Sequence, residues 1–133
     1  MSEVSLETYQ IYVNGEWADA QSGKSFLSSE PYTGKAWAEI PEGDERDVIA
    51  AVQAAKTAFD ESWWKREPRR RAAVLQRLAE LLTENIEVLA HVESRDNGKL
   101  LREMVGMNTM TPAYYRYFAE TADHLFGSVI RGG

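Results

Sequence analysis

The stretch Glu93-Ser94-Arg95-Asp96-Asn97-Gly98-Lys99 sets a carboxylate beside an Asn-Gly pair that reads as a helix end, where backbone carbonyls lose their partners. Oxygen donors at such a corner suit a hard cation; the plainer reading is a capped helix end with an incidental acid. The run Lys65-Arg66-Glu67-Pro68-Arg69-Arg70-Arg71 clusters guanidinium groups that could contact phosphates. In a chain with 15 Lys and Arg against 21 Asp and Glu, however, so short a run reads first as a solvated helix start. His91 and His124 are the only histidines, and neither sits in an HExxH pattern or an Asp-His-Ser spacing, so both are expected on helix surfaces. None of the nine glycines belongs to a GxGxxG or P-loop pattern that would cradle phosphate. Cysteine is absent, which removes disulfides, thiolate metal sites and a thiol nucleophile together.

These residues sit in a chain of 133, the size of one ordinary domain. Apolar residues at 44% and charged residues at 27% are globular values. The net charge of −6 argues against nucleic acid or an anionic membrane surface as a partner. The N-terminus MSEVSLETYQ lacks a basic segment followed by an apolar one, and no apolar run approaches the length that crosses a bilayer, so a cytoplasmic protein is expected.

The elements that must position these residues change character along the chain. Asn14-Gly15, between Ile11-Tyr12-Val13 and Glu16-Trp17-Ala18, predicts a β-hairpin over 10–19, because both turn positions tolerate positive φ. Gln21-Ser22-Gly23-Lys24 and Pro31-Tyr32-Thr33-Gly34 are turns around a short extended piece, Ser25–Ser29, and lead into a strand at Ala36–Ile40. Three or four short strands thus occupy residues 10–40. Helical spacing follows: Val48, Ala51, Val52, Ala55 and Phe59 mark a helix at about 45–60, with Asp44 and Asp47 as its N-cap pair. Pro68 opens a second helix, 68–96, with a stripe of Leu75, Leu78, Leu82, Ile86 and Leu89 and Asn97-Gly98 as its C-cap. Thr111-Pro112 starts a third, 111–126, with Tyr114, Tyr115, Phe118, Ala122 and Leu125 as its inner face and Gly127 as its stop. The fold class is α+β, short strands first and three main helices after, with no repeat or composition break to divide 1–133.

In series, YVNGEW at 12–17, the Pro-Tyr-Thr-Gly turn at 31–34, WAEIPEGDERDVIAAVQAAKTAF at 37–59, RAAVLQRLAELLTEN at 71–85, ESRDNGK at 93–99 and YYRYFAETADHLFG at 114–127 are similar to the N-terminal part of the NAD(P)-dependent aldehyde dehydrogenase superfamily. The resemblance covers residues 10–130 and implies the early strands and first helices of that fold, without its Rossmann sheet. It implies an oxidoreductase that converts an aldehyde to a carboxylic acid with NAD or NADP, forms homodimers or homotetramers, and uses a cysteine nucleophile, a glutamate base and an asparagine donor in the oxyanion hole. None of those elements is found in this sequence. A chain without cysteine cannot run a reaction in which a thiolate attacks the aldehyde first, so this chain alone is expected to be inactive and to bind no nucleotide tightly.

The resemblance also implies two site assignments. Asp96 would help hold a monovalent or divalent cation, weakly, together with a backbone carbonyl from Ser28. Met110 and Tyr114 would face the aldehyde entry tunnel, although Gly106-Met107-Asn108-Thr109-Met110 departs from the family's small-acidic pattern there. The plainer reading of Met110 and Tyr114 is helix-packing core. A truncated gene product, an expressed piece of a longer chain and a degenerate paralogue all fit, with the end at Arg131-Gly132-Gly133 favouring truncation. The expected partner is the remainder of the enzyme. The alternative is a non-catalytic module that docks on a full-length homologue through Leu75, Leu78, Leu82 and the Tyr114-Tyr115-Phe118 cluster. An unrelated α+β domain that mimics the motifs is the third reading.

Overall fold

The structure is a computed structural model that describes residues 6–124 and residue 127. Five short strands come first: β1 (Glu7–Thr8), β2 (Ile11–Val13), β3 (Glu16–Ala18), β4 (Ser25–Ser29) and β5 (Ala36–Pro41). Four helices follow: α1 (Glu45–Glu61), α2 (Pro68–Glu84), α3 (Ile86–Asn97) and α4 (Leu101–Glu120). Short 3-10 turns occupy Trp63–Lys65 and Thr121–Asp123.

The hairpin β2–β3 forms where Asn14-Gly15 places it. Asn14 at φ 56° and Gly15 at φ 84° make a turn whose twist matches the strands, and Tyr12 faces Trp17 with ring centroids 4.7 Å apart. The other sheet has the order β1-β5-β4, with β5 parallel to β1 and antiparallel to β4. Trp37 and Ala38 point to opposite faces of β5 and both are buried, so the central strand is covered on each side. β1 lies before the region in which strands were expected; two residues are too short for a periodic signal.

At the start of α1, the Asp44 carboxylate accepts from the Arg46 N–H at 2.8 Å while the Asp44 N–H donates to Asp47 Oδ2 at 2.9 Å, a reciprocal cap. Asp47 also accepts from the Gln21 N–H, which ties this corner to the loop after β3.

The helix expected over 68–96 is two helices. Asn85 breaks it: its N–H reaches the carbonyls of Leu81 and Leu82, its side-chain amide donates to Leu81 O at 2.8 Å, and its own carbonyl accepts from Leu89 N–H to begin α3. A short amide side chain competes with the helix for backbone partners. The apolar spacing Leu82, Ile86, Leu89 runs through the break unchanged, which is why periodicity does not reveal it. α3 ends as expected on Gly98, in the left-handed conformation at φ 76°.

The helix expected over 111–126 begins instead at Leu101 and ends at Glu120, with Pro112 inside it and fully buried. Proline is at home in a first turn, and that preference suggested a start here; in the interior it removes one backbone hydrogen bond. Burial of Met104, Pro112 and Ala119 against α2 and α3 offsets that loss. The expected inner face is also rotated. Tyr115 is half-buried and Ala119 buried, whereas Tyr114 and Phe118 are exposed. Leu125 lies outside the described residues.

Of the seven buried hydrophobic residues among those described, five are alanines: Ala20, Ala38, Ala79, Ala90 and Ala119. Small residues let α4 approach α2 and α3 closely, but they leave the large side chains on outer faces. Val48, Val52 and Phe59 of α1 are exposed, and α1 buries no residue.

Candidate functional site

The carboxylate of Asp96 is placed by the end of α3. Gly98 closes the helix by donating to Ser94 O at 2.9 Å, Asn97 Oδ1 accepts from the Lys99 N–H at 2.9 Å, and Ser94 Oγ donates to Lys99 O at 2.7 Å. The corner thus satisfies its own backbone groups and leaves Asp96 turned toward β4. There the register shifts between Ser28 and Ser29, and Ser28 Oγ donates to Asp96 Oδ1 at 2.7 Å. The two residues expected to share a cation therefore meet, across 68 residues of sequence. The observed contact is made by the Ser28 hydroxyl. Among the described residues no three of His, Cys, Asp and Glu gather as a metal-holding group.

Beside this corner, Arg95 joins α3 to the sheet. Its guanidinium lies 3.2 Å from Glu7 Oε1 and stacks 4.9 Å from the Trp37 ring centroid. Tyr9 donates its hydroxyl to Glu7 Oε2 at 2.7 Å, and that bond to a carboxylate raises the phenol pKa above its usual 10.0.

Met110 and Tyr114 come together on the outer face of α4, where Ala113, Tyr117 and Phe118 complete an apolar groove of about 600 Å³. Met110 is 62% exposed and Tyr114 58%, so neither is helix-packing core in this chain. Tyr117 is the residue that the sequence reading missed. It stands three positions after Tyr114 and seven after Met110, and helical spacing from those two would have found it.

The basic run does not form a free phosphate-binding patch. Arg70 stacks 4.2 Å from the Trp63 ring, Arg71 Nη1 donates to Trp64 O at 2.5 Å, and Lys65 pairs with Asp60 at 3.5 Å, so much of the run ties the start of α2 to the preceding turn. His91 and His124 are exposed, and neither joins a metal-holding group among the described residues. No helix among those residues is long and apolar enough to cross a membrane.

The order of these elements, from the hairpin through the Asp96 corner to the apolar face of α4, coincides with a known family. A model described as the aldehyde dehydrogenase family matches residues 17–132. The chain belongs to the aldehyde dehydrogenase family. It is 46% identical over 120 residues to hydroxyisobutyraldehyde dehydrogenase of Mycolicibacterium austroafricanum, covering 90% of this chain and 24% of that protein. It is 39% identical over 129 residues to the mitochondrial aldehyde dehydrogenase family 2 member B4 of Arabidopsis thaliana, covering 96% and 24%. The solved NAD+ complex of a Bacillus cereus aldehyde dehydrogenase superposes with a TM-score of 0.87 at 34% identity, over 93% of this chain and 26% of that one. The fold is that of the N-terminal portion of aldehyde dehydrogenases, and the chain spans about a quarter of the length of the relatives it matches.

Proposed function

We propose that this chain is the N-terminal part of an NAD(P)-dependent oxidoreductase that converts an aldehyde to a carboxylic acid, and that it has no such activity by itself. The observation that carries this reading is the family match over residues 17–132. The reaction consumes aldehyde, water and NAD(P)+ and yields acid, NAD(P)H and a proton. The nicotinamide accepts the hydride. The thiol nucleophile that the family resemblance implies is absent here, since the sequence holds no cysteine.

In this reading the present residues wrap and position. The uncovered faces of α1 and α4 dock on the remainder of the enzyme, which supplies the apolar surface that these 133 residues lack. Met110, Tyr114 and Tyr117 form one wall of the aldehyde entrance. Asp96 and Ser28 contribute oxygens to a cation. Two residues supply only a minority of the six or so oxygens that a hard cation takes, so it is held weakly. The second reading, a non-catalytic module docking on a full-length homologue through Leu75, Leu78, Leu82 and the Tyr114-Tyr115-Phe118 cluster, has only Tyr114 and Phe118 of that set exposed, the three leucines and Tyr115 being half-buried.

The test is a chimera in which this chain replaces the corresponding quarter of the Mycolicibacterium austroafricanum relative. Aldehyde-dependent formation of reduced nicotinamide is expected from the chimera, and none from the purified 133-residue chain. Turnover by the chain alone, or a folded chimera that binds NAD+ yet does not turn over, sinks the proposal.

A further inference from the structure

α4 carries Pro112 in its interior, in a stretch rich in polar side chains that bond back to the helix. Pro112 has no N–H, so the carbonyl of Asn108 loses the partner that an α-helix supplies four residues on. Around it, Asn108 Nδ2, Thr109 Oγ1 and Thr111 Oγ1 donate back to the carbonyls of Met104, Val105 and Met107 at 2.9, 2.7 and 2.9 Å. Proline and back-bonding polar residues in one turn are the features that bend helices.

Tertiary contacts fix what the backbone ladder leaves loose. Before Pro112, buried Met104 and a 3.2 Å hydrogen bond from Asn108 Nδ2 to Glu93 Oε2 hold α4 on α3. After it, buried Ala119 and a 3.2 Å hydrogen bond from Arg116 Nη2 to Thr83 Oγ1 hold α4 on α2. Met110 precedes Pro112 and Tyr114 follows it, so the segments of α4 on both sides of the proline line the groove. Asn108 is half-buried and faces α3, so it acts on that groove only through the helix.

We infer that Asn108, through its bond to Glu93, is a positioning residue that sets the shape of the Met110–Tyr114 groove and thereby selects aldehydes by the size of their apolar substituent. This rests on the groove being the aldehyde-facing wall. Both parts are tested in the chimera with a short aldehyde, acetaldehyde, and a longer one, hexanal. Tyr114→Ala reports on the wall: it is expected to change KM for hexanal by a larger factor than KM for acetaldehyde. Asn108→Leu removes the bonds from Asn108 Nδ2 to Glu93 Oε2 and to Met104 O and is expected to raise KM for hexanal roughly tenfold, with kcat and the acetaldehyde KM nearly constant. Glu93→Gln keeps an acceptor for Asn108 while losing the 3.8 Å ion pair with Lys99, and is expected to behave as wild type; Glu93→Leu loses both and is expected to raise KM for hexanal in the same direction as Asn108→Leu. A general structural lesion would instead move both aldehydes alike. If Tyr114→Ala shifts hexanal but Asn108→Leu does not, or shifts both substrates equally, the positioning role is wrong and the wall stands. If Tyr114→Ala shifts neither, the wall and the inference fall together. Should Asn108→Leu fail to fold, the contrast between Glu93→Leu and Glu93→Gln decides by the same criteria.

Discussion

Gly98→Ala perturbs the junction on which the Asp96 corner is built. Gly98 has φ 76°, a left-handed conformation that costs an L-residue with a Cβ about 1–2 kcal/mol. A Cβ there would also stand 3.0 Å from Pro31 Cβ and 3.2 Å from Pro31 Cγ, inside the roughly 3.5–4.0 Å at which two carbons rest comfortably. The proline ring has little room to retreat, because its turn is closed by hydrogen bonds from Gly34 N–H to Glu30 O at 2.8 Å and from Glu30 N–H to Lys35 O at 2.9 Å. Overpacking against so fixed a neighbour adds about 1–3 kcal/mol, for a total loss of about 2–5 kcal/mol. Gly23→Ala is the control: φ is 65°, but nothing lies within 4 Å of the added carbon, so only the backbone cost applies. Urea unfolding of the 133-residue chain, followed by far-ultraviolet circular dichroism, measures both. The Gly98 variant should lose clearly more stability than the Gly23 variant. Equal losses would refute the contact with Pro31, and with it the argument that this contact seats the end of α3 on the β4–β5 turn.

Two further variants test the helices. Gly106→Ala lies inside α4 with open space around the added carbon, so it should stabilise the chain by about 0.5–1 kcal/mol in the same unfolding assay; a loss would show that α4 is not helical there. Asp44 has its pKa lowered below the usual 3.8, first by the side-chain hydrogen bond from Arg46. Its carboxylate therefore contributes stability above pH 3.8 that is lost as pH falls through the depressed folded-state value. Asp44→Asn keeps an N-cap acceptor but cannot titrate. The stability difference between wild type and this variant should shrink on acidification below that pH in parallel denaturation curves, and a difference that stays constant would show that Asp44 is not so coupled.

Where a local rule was strong and unopposed, the sequence was enough. Asn14-Gly15, the Asp44–Asp47 cap, Pro68 at the start of α2 and Gly98 at the end of α3 each act within a few residues, and all four form as expected. The break at Asn85 and the course of α4 were not legible. Asn85 interrupts a helix without interrupting its apolar spacing, and Pro112 sits in a helix only because Met104, Ala119 and the faces of α2 and α3 bury it. The Asn108–Glu93 bond was missed for the same reason, since it depends on a helix that starts at Leu101.

By itself the sequence determined the class, the caps and turns, the absence of a thiol nucleophile and the family, because these follow from residue types and short spacings. Only the tertiary structure decided that Ser28 meets Asp96, that Tyr114 and Phe118 face outward, and that Ala79, Ala90 and Ala119 join Met104 and Pro112 as the buried positions of α2, α3 and α4. The physical reason is that periodicity shows which side chains share a face, but not whether anything is there to cover it. In this chain the buried seams are lined by small residues, and the large apolar faces remain open.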